Sequence, residues 1–156
     1  MKLEDYDSRH LLFAALFMTS NRLQSIGDRF YEQITSKQWF LLAALNTFEY
    51  APTFNELSSL MGSSHQNVKQ IALKLQQKGY AEIETDPDDR RKSRVRLGRK
   101  AESLQSAYAL KEEAFMDLLY KDISETQLKT ALETLNTMMK NMEECNICLL
   151  YTSPSP

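Results

Sequence analysis

The strongest constraint on this fold is a single change of hydrophobic period between Thr53 and Leu97. Up to Gly79 the apolar residues recur at helical spacing, and beyond it they alternate. Thr53-Phe54-Asn55-Glu56 has the form of a capping box. Leu57, Leu60 and Met61 then line a two-turn helix, and Gly62 stands where such a helix ends. Ser63 and Ser64 are placed to cap the next helix, whose apolar stripe is Val68, Ile71, Ala72 and Leu75 and whose end is Gly79. Tyr80 to Thr85 and Arg94 to Leu97 alternate around the polar turn Asp86-Pro87-Asp88-Asp89, which makes a β-hairpin. A short helix, a turn, a second helix and a hairpin therefore follow one another without a break.

The flanks are helical. Leu12, Leu16, Thr19, Leu23, Ile26 and Phe30 mark one face of a helix over 8–30, and Leu11, Phe13, Ala15 and Phe17 widen it. A helix apolar on two sides packs against more than its own chain. Thr35-Ser36-Lys37-Gln38 opens a nearly all-apolar helix to Leu45, and 46–52 reads as a loop ending at Pro52. After Gly98 come two more helices, one through Ala101, Leu104, Tyr108, Phe115 and Leu119. The last carries Leu128, Leu132, Leu135, Met139 and Met142. With 4 Gly and 4 Pro in 156 residues, the expected class is mainly α with a small β-hairpin.

Several functions are disfavoured. The longest apolar run, Leu11 to Met18, is far short of the ~20 residues a membrane span needs, and the preceding Glu4-Asp5-Tyr6-Asp7 is acidic where a secretion signal is basic. No membrane partner is expected, and the expected location is cytoplasmic. Cys145 and Cys148 lack a second pair to complete a metal site. No nucleophile elbow, phosphate loop or zinc-protease motif occurs. Glu82 and Glu84, on one strand face, read as solvated. The expectation is a non-enzyme with no cofactor and no metal. The segment from Cys148 breaks in composition from the helix before it, and 148–156 reads as a disordered or artefactual tail.

The charges point to a partner. The net charge of −2 speaks against nucleic acid when taken alone. Residues 90–100, however, hold seven basic side chains and no acidic one, on a remainder that is acidic overall. Such a segregated patch is an electrostatic footprint. In a helix-turn-helix, residues near the start of the second helix meet base edges in the major groove. Here those are Ser64, His65, Gln66, Asn67, Lys69 and Gln70, types able to bond adenine, guanine or either. Arg90 and Arg91 at the hairpin tip suit a minor groove. Lys92, Arg94 and Arg96 complete the expected DNA-binding set, with Arg99 and Lys100 near phosphates.

The stretch Thr53–Leu97 resembles the winged helix-turn-helix of MarR-type bacterial transcriptional regulators. The resemblance is carried by Glu56-Leu57, Met61-Gly62, Leu75-Gln76-Gln77-Lys78-Gly79-Tyr80 and, above all, the wing Asp86-Pro87-Asp88-Asp89-Arg90-Arg91 with its alternating strand to Leu97. It implies one domain over 1–147, with dimerisation helices at 8–30 and 99–145 and the winged helix-turn-helix at 36–98. It further implies a homodimeric repressor on a pseudo-palindromic duplex, with recognition helices about 34–36 Å apart. With four to five basic residues of each lobe on phosphate, the salt slope would be near −7 to −9, at ~0.9 per phosphate. A small aromatic effector is a further implied partner, with Phe13, Phe17, Tyr31, Trp39 and Phe40 as candidate lining. The chain departs from the family after the wing, where Leu97-Gly98-Arg99-Lys100 stands in place of Leu-Thr-x-x-Gly, so Gly98 is expected as a weaker cap than Thr. A protein–protein interaction module using the same fold without DNA is the alternative.

Overall fold

Two reciprocal capping boxes fix where the central helices begin. In the computed structural model, which describes residues 6–151 with side chains to residue 145, Thr35 and Thr53 each accept from the backbone N–H three residues on. The Gln38 and Glu56 side chains return the bond to the Thr backbone at 3.2 and 2.7 Å. α2 (Ser36–Leu45) and α3 (Phe54–Met61) start at these caps. α1 (Ser8–Phe30) precedes them, with Asp7 accepting from the N–H groups of Arg9 and His10. α3 ends in a left-handed Gly62, and the Ser63 N–H reaches back to the Ser58 carbonyl at 3.0 Å, a Schellman closure. Ser64 then caps α4 (His65–Lys78), which ends in the same way at Gly79.

β1 (Ala81–Thr85) and β2 (Ser93–Leu97) pair antiparallel, with Ile83 opposite Val95 and Glu82 opposite Arg96. The outer edge of β2 is not open along its length. Thr53 forms a bridge with Arg94, and the Val95 N–H donates to the Pro52 carbonyl at 2.9 Å. The chain at the end of the expected loop thus makes a single β-bridge to the sheet and fastens the hairpin to the start of α3.

The chain divides into two compact units that meet in sequence between Ala107 and Tyr108. In the first, α2, α3, α4 and the hairpin close around Leu41, Leu57, Leu75, Val68 and Val95, all fully buried. Each such side chain contributes about 1.5–3 kcal/mol relative to exposure. Lys78 ties the end of α4 to the chain before α2, donating to the Gln33 carbonyl at 2.7 Å and to Gln38 Oε1 at 3.2 Å. α1 has no buried residue, although Leu12, Phe13, Phe17 and Leu23 lie on it.

α5 (Arg99–Leu119) begins in the first unit, and its remainder lies in the second with α6 (Glu125–Tyr151). Ser124 and Gln127 form the cap that opens α6. α6 runs on to Tyr151, past the expected end at residue 145. The side chain of Cys148 and residues 152–156 of the expected tail lie outside the described residues. No helix among the described residues is long and apolar enough to cross a membrane.

Gly98 has a reason that differs from the expected one. A Cβ there would lie 2.5 Å from the Gly79 carbonyl oxygen and 2.9 Å from the Ala81 nitrogen. The Gly98 N–H donates to the Tyr80 carbonyl at 2.9 Å. A strand end and a helix end meet here backbone to backbone, so the residue is set by close approach, beyond its place next to α5.

Candidate nucleic-acid interface

α4 turns Val68, Ile71, Ala72 and Leu75 inward, so helical geometry turns the intervening residues outward. Ser64, His65, Gln66, Asn67, Lys69 and Gln70 are all exposed. They are not equally available. Ser64 Oγ accepts the Asn67 N–H at 3.2 Å, and the Asn67 amide donates to Ser63 Oγ at 2.8 Å. The His65 ring meets Phe54 edge-on at 5.6 Å. Lys69 has no ion-pair partner among the described residues.

The wing folds around a buried carboxylate. Asp86 is 2% exposed. Its Oδ1 accepts the N–H groups of Asp88 and Asp89 at 2.8 and 3.2 Å, the geometry of an Asx-type turn. Its Oδ2 accepts from Arg94 Nε at 2.8 Å. The Asp88 N–H, above all, holds the Asp86 carboxyl below its ordinary pKa; burial opposes this, and the Asp89 N–H and Arg94 add to the lowering.

The basic residues of the wing separate into three kinds. Arg90 is exposed and has no ion-pair partner among the described residues. Arg91 and Lys92 both pair with Asp89, at 3.0 and 3.6 Å, and the Arg91 side chain is 90% exposed. Arg96 bridges Glu82 and Glu84 at 2.7 and 2.6 Å on the strand surface. Exposed pairs of this sort contribute at most about 1 kcal/mol, so their cations exchange partners readily. Arg94 is different. Its second arm, Nη1, donates to the Ala51 carbonyl at 2.8 Å, and both its partners are internal.

The hairpin also revises the charge reading. The segment 90–100 is basic in sequence, but the fold lays residues 81–89 beside it. Over 81–97 the five basic residues face Glu82, Glu84, Asp86, Asp88 and Asp89, which cancels their formal charge. Alternation in β1 made Glu82 and Glu84 visible in the sequence. What it did not supply was their register against Arg96.

Between α4 and the wing lies an open groove of about 420 Å³. Thr53, Phe54, Asn55 and Glu56 at the start of α3 line it with His65 and Lys69, and Arg91, Lys92, Ser93 and Arg94 line it from the hairpin. Gln66, Gln70, Arg90 and Arg96 are outside this lining. Of the aromatic residues considered for an effector, Tyr31 is buried and stacks near Trp39 at 6.4 Å. Phe13 meets Phe17 at 5.1 Å on α1, and Phe40 is exposed.

A helix-turn-helix whose second helix is flanked by a two-stranded wing defines the class: this is a winged helix-turn-helix protein. Residues 32–92, which include the helix-turn-helix and most of the wing, match the model of the MarR family. Solved structures agree on the fold. A MarR protein from Peptoclostridium difficile superposes with a TM-score of 0.78 at 18% identity, over 92% of this chain and 94% of that one. S. aureus MepR, solved as a DNA complex, gives 0.72 at 19% identity, over 88% and 99%. Bordetella bronchiseptica BpsR, described with regulation of its DNA binding by 6-hydroxynicotinic acid, gives 0.70 at 18% identity, over 83% and 98%. No curated protein sequence matches the chain.

Proposed function

We propose that this chain is a sequence-specific duplex-DNA-binding transcriptional regulator. In this reading α4 enters the major groove and the wing straddles the adjacent phosphate backbone. The observation that carries it is the groove flanked by the exposed polar face of α4 and by the cations of the wing tip. Gln66, Gln70 and Lys69 are the base-reading candidates, with His65 beside them. Ser64 and Asn67 serve first to build the helix start. Arg90, Arg91 and Lys92 take phosphate, the last two by releasing Asp89. Arg96 is a weaker contributor, since two carboxylates already hold it.

The active form in this reading is a homodimer, with the exposed apolar residues of α1 and α6 covered by a second copy. It acts as a repressor that a small aromatic effector releases. MepR was solved on DNA, which supports duplex DNA as the partner, and BpsR's DNA binding is described as regulated by 6-hydroxynicotinic acid, which supports an effector, in both cases by likeness of fold. The release step is a population shift: a ligand favouring one spacing of the lobes disfavours the spacing that fits successive major grooves.

The test is selection of a duplex from a randomised pool, followed by titration of affinity against salt. With Arg90, Arg91 and Lys92 of each lobe on phosphate, the log–log slope is about −5 for a dimer. Arg91→Ala should reduce that slope by about 2, one contact in each lobe. Failure to select any duplex, or a slope near zero, overturns the reading and favours a protein–protein module on the same fold.

A further inference from the structure

We infer that Arg94 and Asp86 form a positioning pair that sets the wing against α3 and α4, with Arg94 acting through Asp86 and Ala51 rather than on a phosphate. This rests on the DNA-binding reading for its consequence, but not for its geometry. Two of the three guanidinium nitrogens are engaged, Nε with Asp86 Oδ2 and Nη1 with the Ala51 carbonyl, each at 2.8 Å. These partners come from the wing turn and from the chain that leads into α3. One planar fork therefore clamps two segments that are remote in sequence, which a point-charge ammonium does poorly.

The pair is also costly to open. The Asp86 side chain is 3% exposed, so an arginine that swung out to a phosphate would leave a buried carboxylate without its cation. Arg91 and Arg96 face a smaller penalty, since their carboxylate partners Asp89 and Glu82 keep part of their contact with water. The clamp sits where the hairpin joins α3, beside the Thr53–Arg94 bridge and the Val95–Pro52 hydrogen bond. It also lies in the lining of the groove, between the α3 wall and the cations of the wing tip. A tilt of the wing about this point changes the width of the groove and the reach of Arg90 and Arg91. The same carboxylate shapes the wing tip through the N–H groups of Asp88 and Asp89.

Asp86→Asn separates the two roles by sign. If Arg94 were a phosphate ligand restrained by Asp86, removing the negative charge would free it and tighten binding to the selected duplex. A positioning pair predicts the reverse: affinity falls about tenfold or more, as for loss of one partner of a buried charge pair, with the salt slope unchanged. Arg94→Lys gives the second comparison, because it keeps the charge and loses the fork. It should weaken binding like Asp86→Asn, and the double variant should be no worse than either single one. Near-wild-type affinity of Arg94→Lys, or a lowered slope in Arg94→Leu, overturns the proposal. Amide exchange on the free protein decides it without DNA. Arg94→Lys should speed exchange at Asp88, Asp89 and Val95 while the α4 amides keep their protection, and unchanged rates at those three overturn the pair. A wild-type chain that selects no duplex refutes the DNA reading alone, and the exchange measurement still judges the clamp.

Discussion

Single residues here owe their roles to neighbours that sequence spacing does not reveal. Arg94 and Arg96 look alike in an alternating strand, yet one is clamped to a buried carboxylate and the other pairs with carboxylates on the strand surface. Asp86 and Arg94, eight positions apart in sequence, meet only when the hairpin register is set. An Asp ahead of a Pro-containing turn was a signal that Asp86 would organise the tip, since Asx turns are local. Gly98 is a similar case. Its weakness as a cap was legible, but the backbone crossing that excludes a Cβ was not. Gly98→Ala should therefore destabilise the first unit by about 1–3 kcal/mol, as overpacking against unyielding backbone does. A lowered denaturant midpoint with an unchanged m-value is the expected result, and a midpoint equal to wild type would contradict it.

At the scale of elements, the helix ends were the most legible feature. Both threonine capping boxes, the Gly62 and Gly79 terminations and the Ser64 cap depend on residues within a few positions of one another. The α3 cap also makes a pH prediction. The Thr53 backbone N–H, then the Thr53 hydroxyl and Tyr50, hold the Glu56 carboxyl below its ordinary value of 4.5. A depressed folded-state pKa gives stability that is present above that ordinary value and is lost as pH falls through the folded one. Glu56→Gln should thus flatten the acid limb of a stability–pH curve below about pH 4.5 while leaving its neutral shape unchanged. An acid limb identical to wild type would show that the carboxylate is not held in this way. The hairpin was legible as an element but not as an electrostatic object. Its strands were found from alternation, whereas the mutual cancellation of its charges needed β1 laid against β2.

For the molecule as a whole, the apolar residues left uncovered matter most. Phe13 and Phe17 on α1 are each 61% exposed, and Leu132, Met139 and Met142 on α6 are more than half exposed. Exposed apolar surface on this scale marks an interaction site. If a second copy covers α1, Phe17→Glu should shift sedimentation from dimer to monomer at micromolar concentration. It should also reduce DNA affinity, because two half-sites would no longer be held by one particle. A Phe17→Glu chain that sediments as the wild type does would remove α1 from the interface.

Periodicity, caps and turn residues were enough to establish the order of helices and hairpin, because each rests on interactions spanning a few residues. They also placed the polar face of α4 outward, since one helical turn fixes which residues share a side. Tertiary structure decided which cations of the wing are available. That outcome depends on strand register, on the burial of Asp86, and on the Ala51 carbonyl forty-three residues from Arg94. Charge counted along a chain ignores such distant partners, and a low-exposure carboxylate binds its arginine far more firmly than a solvated one does.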